Sequence, residues 1–284
     1  MISLYVIIFV QIVGEVLPIS SSSHVYIVEQ LLMFFGIGLT EIPDFFDYFL
    51  HGPMMLILPI FFRYEWCNIF CSPVLLWKYV RIVFITTIIT GIFYAVIKVL
   101  GKNVLVFLEG RSVIVGMLVT AMLLFSLRWK EKSQSYPLVF HQEHKICGAI
   151  QQEGNFFKIA TVLGLTQGLA LLPGISRLAS TYVVGLWLDL SPEESFKLSF
   201  IIQFPLIVGA FFIKGLKKCI SFSNTMALFT VETIIAMCVA TVVAYGVLYL
   251  MWRCVQQDNV WKFGWYLMLP ISILTWLMVQ LKQL

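Results

Sequence analysis

Apolar residues along this chain fall into long blocks parted by short polar stretches. Ile82–Ile97, Ser112–Leu127, Ser199–Ile213 and Thr233–Trp252 hold no charged residue, and Met1–Leu17 holds one, Glu15. Such blocks approach the roughly 20 residues a helix needs to cross about 30 Å of hydrocarbon. The pattern predicts helices over 3–17, 24–37, 46–62, 79–99, 104–127, 156–171, 180–190, 194–214, 224–252 and 263–281. The longest stretch without an apolar block runs from Arg128 to Asn155, so 128–155 is expected to be an extramembrane loop between a first half, 1–127, and a second, 156–284.

Two of these helices stop at chemistry that cannot continue them. The first runs into Leu17-Pro18-Ile19-Ser20-Ser21-Ser22-Ser23-His24, and the second into Leu171-Leu172-Pro173-Gly174-Ile175-Ser176-Arg177. Proline removes a backbone donor and clashes with the preceding turn, and serine offers the backbone other partners. Each break is followed by another short apolar stretch, 25–37 and 182–190. Leu17-Pro18 and Leu172-Pro173 stand 155 residues apart, with Gln11 and Gly14 before one and Gln167 and Gly168 before the other. Interrupted segments at matching places in two halves point to an inverted repeat around a central site. Irregular backbone at membrane depth persists only where protein or a wet cavity satisfies it, so the two breaks are expected to meet.

Composition agrees with the block pattern. Of 284 residues 60% are hydrophobic and 12% charged, against about 25% charged in ordinary soluble domains. Lipid is the simplest solvent for that excess. The formal charge of +4 is small and scattered between apolar blocks, which argues against a nucleic-acid partner and leaves membrane orientation open. The N-terminus lacks a basic n-region and a small-residue cleavage site, and reads as a retained first helix. The six cysteines form no CxxC; Cys67 and Cys71, one turn apart, read as small apolar residues near a membrane edge.

The ionisable residues set deepest in apolar sequence are Glu15 and Arg177. A charge there costs about 2.5–3.5 kcal/mol on insertion scales, so each demands a partner. The group chemistry suits phosphate. Arginine presents a planar fork to phosphate oxygens, Ser176 and Thr181 add neutral donors, and helices starting near Arg177 and near His24 would aim N–H groups and their positive ends at one spot. Glu15 can hold a divalent cation or take a proton, His24 can serve as acid, base or nucleophile, and Ser21 can attack phosphorus if a base is near. Each element has a bland reading: a serine run before a helix is commonly an N-cap, and an arginine near Pro-Gly is commonly a snorkelling edge residue. Their coincidence at two matched breaks favours phosphoryl transfer. Asp44, Asp47 and His51 are assigned to a membrane edge, although His51 could reach the cavity. Ser191-Pro192-Glu193-Glu194 reads as a capped helix start. His141 and His144 show no trusted metal spacing, and Glu232 has no account from sequence.

These residues carry a resemblance. Gly14-Glu15-Val16-Leu17-Pro18-Ile19-Ser20-Ser21-Ser22-Ser23-His24 resembles the first signature of the bacitracin-resistance-type undecaprenyl-diphosphate phosphatases. Leu172-Pro173-Gly174-Ile175-Ser176-Arg177, with Thr181, resembles the second, and Ser191 to Pro205 resembles the helix after it. The resemblance implies an all-α polytopic membrane protein with an inverted-topology repeat and two re-entrant helical hairpins, near 18–24 and 173–181. It implies hydrolysis of undecaprenyl pyrophosphate to the monophosphate in the bacterial inner membrane, recycling the carrier for cell-wall synthesis and giving bacitracin resistance. Glu15, Ser21, His24 and Arg177 take the catalytic positions. Ser20, Ser22, Gly174, Ser176, Arg177 and Thr181 take substrate contacts. Glu15 and Gln11 take the place of metal ligands for calcium or magnesium. The expected partners are the polyprenyl pyrophosphate, the bilayer and, as an open expectation, a second copy in a homodimer.

Three departures shape the expectation. Gln11 stands where the family usually has a first glutamate, so cation affinity should fall. Leu178 and Ala179 replace the usual Ser-Gly after the arginine, and Ser23 replaces a common glycine. The rival function on such a fold is a lipid-phosphate flippase or transporter, which would release no inorganic phosphate. A catalytically dead paralogue is the third reading, opposed by the intact Glu15, Ser21, His24 and Arg177.

Overall fold

The computed structural model describes residues 2–37, 44–100, 110–133, 153–216 and 230–280, and within them the secondary structure is helical. The helices in chain order are α1 Ile2–Glu15, α2 Ser21–Phe34, α3 Asp44–Phe49, α4 Gly52–Phe61, α5 Arg63–Cys71, α6 Pro73–Leu100, α7 Arg111–Ser133, α8 Glu153–Leu169, α9 Arg177–Trp187, α10 Pro192–Gly209, α11 Val231–Gln256 and α12 Phe263–Gln280. A π segment, Ala210–Leu216, prolongs α10, and a 3-10 turn, Val260–Lys262, leads into α12.

Among the described residues, five stretches are long and apolar enough to cross a membrane: Pro73–Ile97, Arg111–Trp129, Pro192–Gly215, Val231–Gln256 and Val260–Gln280. Their outward faces are greasy. On α11, Ile234, Val239, Val242 and Leu250 are exposed, while Ala240, Ala244 and Leu248 on the same helix are buried. An exposed aliphatic face of that extent suits lipid rather than water. This is a multi-pass membrane protein.

The core joins both halves. Ile8, Ile12, Met54, Met117, Tyr182, Phe196, Phe200, Met251 and Leu274 belong to one buried cluster, and Ile82, Phe156, Leu163, Leu198 and Ile202 to a smaller second one. The helix partners are α1 with α11 and α8 with α6, α2 with α12 and α9 with α7, α4 with α11 and α10 with α6. At the α8–α6 seam a Cβ on Gly164 would lie 3.1 Å from the Thr86 Cα, and one on Gly168 would lie 2.8 Å from Phe93 side-chain atoms. Small residues four apart allow this approach, as is usual between membrane helices. Thr90 closes the seam by donating to the Gly164 carbonyl at 3.1 Å.

Among the boundaries that differ from the sequence reading, two change the architecture. The expected helix over 46–62 is parted at Leu50–His51 into α3 and α4, then bends by 71° at Phe62 into α5. Pro53 explains the first break: it has no N–H to give the Phe49 carbonyl four residues back, and it favours the opening turn of α4. The expected loop 128–155 is helical as far as Ser133, because Arg128–Ser133 contains good helix formers that continue α7 outward. Residues 134–152, with His141 and His144, lie outside the described residues, as do 101–109 and 217–229.

Candidate active site

The first break is built by local sequence. α1 stops at Glu15, and the chain turns through Val16–Ile19 to Ser20, whose φ of 64° is unusual for a residue with a Cβ. α2 then starts at Ser21, three residues earlier than expected, because Ser20 rather than Ser23 flanks the helix. Gly14 lets the helices touch: a Cβ there would lie 3.1 Å from the Ser21 Cβ. Ser20 spends its hydroxyl on Ser23 at 2.8 Å and Ser22 at 3.4 Å and caps no backbone donor. The opening N–H groups of α2 are therefore left for another acceptor.

His24 sits in the first turn of α2. Its Nδ1 lies 2.9 Å from the Ser20 carbonyl oxygen, which can only accept, so Nδ1 carries the proton. In the neutral ring this leaves a lone pair on Nε2, which is buried with no hydrogen-bond partner. The ring stacks on Tyr266 of α12, with centroids 5.7 Å apart and planes 7° from parallel.

Glu15 is 6% exposed at the end of α1. His51, from the α3–α4 junction, places Nδ1 2.5 Å from its Oε1, while Oε2 is buried without a partner. Gln11 lies one helical turn earlier, also buried.

The second break is clamped against α7. Gly174 has φ 90°, and a Cβ there would come within 2.3 Å of the Val113 carbonyl oxygen. Gly116 provides the opposing gap, since a Cβ on it would lie 2.1 Å from the Pro173 oxygen. Thr120 ties the turn down: its hydroxyl lies 3.3 Å from the Gly174 oxygen and accepts from the Ser176 N–H at 3.0 Å. Ser176 caps α9 by accepting from the Ala179 N–H at 3.3 Å. Ser180 and Thr181 donate back to the carbonyls of Ser176 and Arg177, each at 2.8 Å. Arg177 lies deep in the protein with part of its surface open; among the described residues no hydrogen bond or ion pair holds its guanidinium, and the carboxylate of Glu15 is close enough for its charge to act on it.

The arrangement thus brings Glu15 into electrostatic reach of Arg177 and gathers Ser20, Ser21, Ser22, Ser23 and His24 in one turn at the head of α2. Unsatisfied atoms of opposite character, the Glu15 Oε2 and the Arg177 guanidinium, are what a phosphate group and a cation would engage together. Sequence reasoning missed three contributors and gave a fourth, His51, the cavity only as its second reading. His51 was assigned to a membrane edge, yet it is buried on Glu15; the Gly52-Pro53 pair that breaks the helix after it was the available signal. Tyr266, Gly116 and Thr120 lie on α12 and α7 and carried no signal, since a tyrosine, glycine or threonine in an apolar helix is unremarkable alone. Among the described residues no three His, Cys, Asp or Glu side chains gather as a metal site, and Cys67 and Cys71 are exposed free thiols. Ser191 and Glu194 form the capping box that starts α10.

The model of the bacitracin resistance protein BacA family matches residues 5–272. An undecaprenyl-diphosphatase of Desulfosudis oleivorans is 28% identical over 280 residues, spanning 94% of this chain and 95% of its own length. One from Borrelia hermsii is 25% identical over 285 residues, spanning 95% and 96%, and one from Methanosphaera stadtmanae is 30% identical over 223 residues, spanning 71% and 72%. With a match that takes in both helix breaks and nearly all of the sequence, this chain belongs to the bacitracin resistance protein BacA family.

Proposed function

We propose that this protein hydrolyses undecaprenyl pyrophosphate to undecaprenyl phosphate and inorganic phosphate, as the names of its relatives imply. The observation that carries the chemistry is the pairing, across two helix breaks, of an unpaired guanidinium set deep in the protein with a carboxylate that keeps one free oxygen, while the first break also presents, nine residues on from Glu15, an imidazole with one free nitrogen. Arg177 grips the phosphate oxygens through its donor fork, and the first N–H groups of α2 and α9 add positive potential. His24 uses its Nε2 lone pair to take a proton from the attacking group, while Nδ1–H stays anchored on Ser20. Ser21 and Ser22 supply hydroxyl contacts to the pyrophosphate. Ser176 and Thr181 shape the start of α9, their hydroxyl hydrogen bonds serving the helix backbone.

A divalent cation fits the free Glu15 Oε2 with the Gln11 carbonyl one turn away. Magnesium commonly takes one or two carboxylates plus substrate phosphates, and a single carboxylate makes the site weak. Such an ion would neutralise charge on the pyrophosphate. The partner set α1–α11 with α8–α6, and α2–α12 with α9–α7, is unchanged when the halves are exchanged, which supports the inverted repeat. α2 and α9, with 14 and 11 residues, rise only about 21 and 16 Å at 1.5 Å per residue, too short to cross hydrocarbon, which supports the re-entrant reading. The same function places the protein in the bacterial plasma membrane, where it recycles the carrier and confers bacitracin resistance. The site groups named here come from one chain, so a homodimer would not be needed for the chemistry.

The test is phosphate release from a polyprenyl pyrophosphate by purified protein. Wild type should release phosphate, and Arg177→Ala should lose at least about 100-fold in kcat/KM, the scale of removing one transition-state donor. A flippase would move lipid without releasing phosphate, and that result would replace this reading.

A further inference from the structure

We propose that His51 is a positioning residue that holds Glu15 off Arg177, keeping the guanidinium free for the pyrophosphate; the proposal rests on the phosphatase reading. Glu15 and Arg177 are opposite charges close enough to act on one another in a medium where the attraction is strong. A carboxylate free to turn toward the guanidinium would compete with the anion for it. The structure instead ties the Glu15 Oε1 to His51 Nδ1, 36 residues away in sequence. A carboxylate can only accept, so Nδ1 donates, and the bond is charge-assisted.

His51 is itself held firmly. Its N–H donates to the Tyr48 carbonyl at 3.4 Å and its carbonyl accepts from the Met54 N–H at 3.1 Å. Leu50 and Met54 on either side are fully buried, and Gly52 is pressed against the Phe211 ring, 2.8 Å from where a Cβ would stand. The terminal torsion of a glutamate is broad and nearly two-fold, so one anchored oxygen is what fixes the other. Anchoring Oε1 leaves Oε2 as the single free face of the carboxylate. The pair therefore does two things at once: it satisfies half of a buried charge, and it keeps that charge from consuming the arginine.

The experiment measures binding of methylenediphosphonate, a pyrophosphate analogue that cannot be hydrolysed, to full-length protein in detergent. His51→Phe keeps a flat ring without the donor and should weaken binding about 10- to 100-fold, the usual range for removing a partner that orients a site group. His51→Asn places a donor nitrogen one bond beyond Cγ, as Nδ1 is, and should bind within about threefold of wild type, an estimate from that restored hydrogen bond. In a Glu15→Gln background the neutral amide no longer competes for Arg177, so adding His51→Phe should have little further effect. Wild-type binding by His51→Phe, or undiminished weakening when Glu15 is Gln, would overturn the proposal. If His51→Phe does not fold, His51→Leu takes its place; if neither folds, His51→Asn decides, since loss of binding there contradicts the role. Phosphate release by wild type is measured alongside. Its absence would defeat the phosphatase reading, while the binding series still judges His51.

Discussion

Gly116→Ala tests whether the second break is held by contact with α7. The added Cβ would lie 2.1 Å from the Pro173 carbonyl oxygen and 2.7 Å from the Gly174 Cα. Real Cβ contacts are essentially never under 3.0 Å, so the turn or the helix must yield by about 0.9 Å. Neither neighbour is a flexible side-chain tip; both are backbone. The turn cannot absorb the shift by twisting either, because Gly174 already sits at φ 90° against the Val113 oxygen. Moving it away from α7 stretches the bond between the Ser176 N–H and Thr120, and Arg177 follows directly in the chain. A misplacement near 1 Å commonly costs about 100-fold in rate, and overpacking of this kind costs about 1–3 kcal/mol in stability. We expect Gly116→Ala to lower kcat/KM for phosphate release about 100-fold and to reduce thermal stability. Gly246→Ala, where nothing lies within 4 Å of the new Cβ, is the matched control: it should leave activity unchanged and should not lower stability, since alanine favours the helix interior over glycine. Gly116→Ala with activity within twofold of wild type and unchanged melting would refute the clamp.

Two further outcomes follow from the site. Thr120→Val keeps shape but strips the acceptor of the Ser176 N–H and the hydroxyl beside the Gly174 oxygen; it should destabilise the protein by about 1–3 kcal/mol in thermal or denaturant melting, whereas Thr120→Ser should not. Gln11→Glu restores a second carboxylate one turn from Glu15 and should lower the calcium or magnesium concentration needed for half-maximal phosphate release by about tenfold; an unchanged cation titration would remove Gln11 from the ligand set.

Much of this protein is written locally. Proline at 18 and 173 and serine at 20 and 176 cannot or need not continue a helix, so both breaks could be placed from sequence, and charge-free blocks revealed the spans. Boundaries were less legible. The break before Gly52-Pro53 was read through, and α7 was ended six residues early, because apolar periodicity overrides a single proline and says nothing of a helix that continues into polar surroundings.

Sequence alone settled the solvent, the helical class and which residues interrupt the helices, because these follow from backbone donors, proline sterics and the cost of charge in lipid. It could not say who meets whom. That His51 lies on Glu15, Tyr266 on His24 and Gly116 under Gly174 depends on α4, α12 and α7 packing against the two breaks. Those contacts span long stretches of chain, and their choice belongs to the shared core, where shape and close packing select partners that no local pattern encodes.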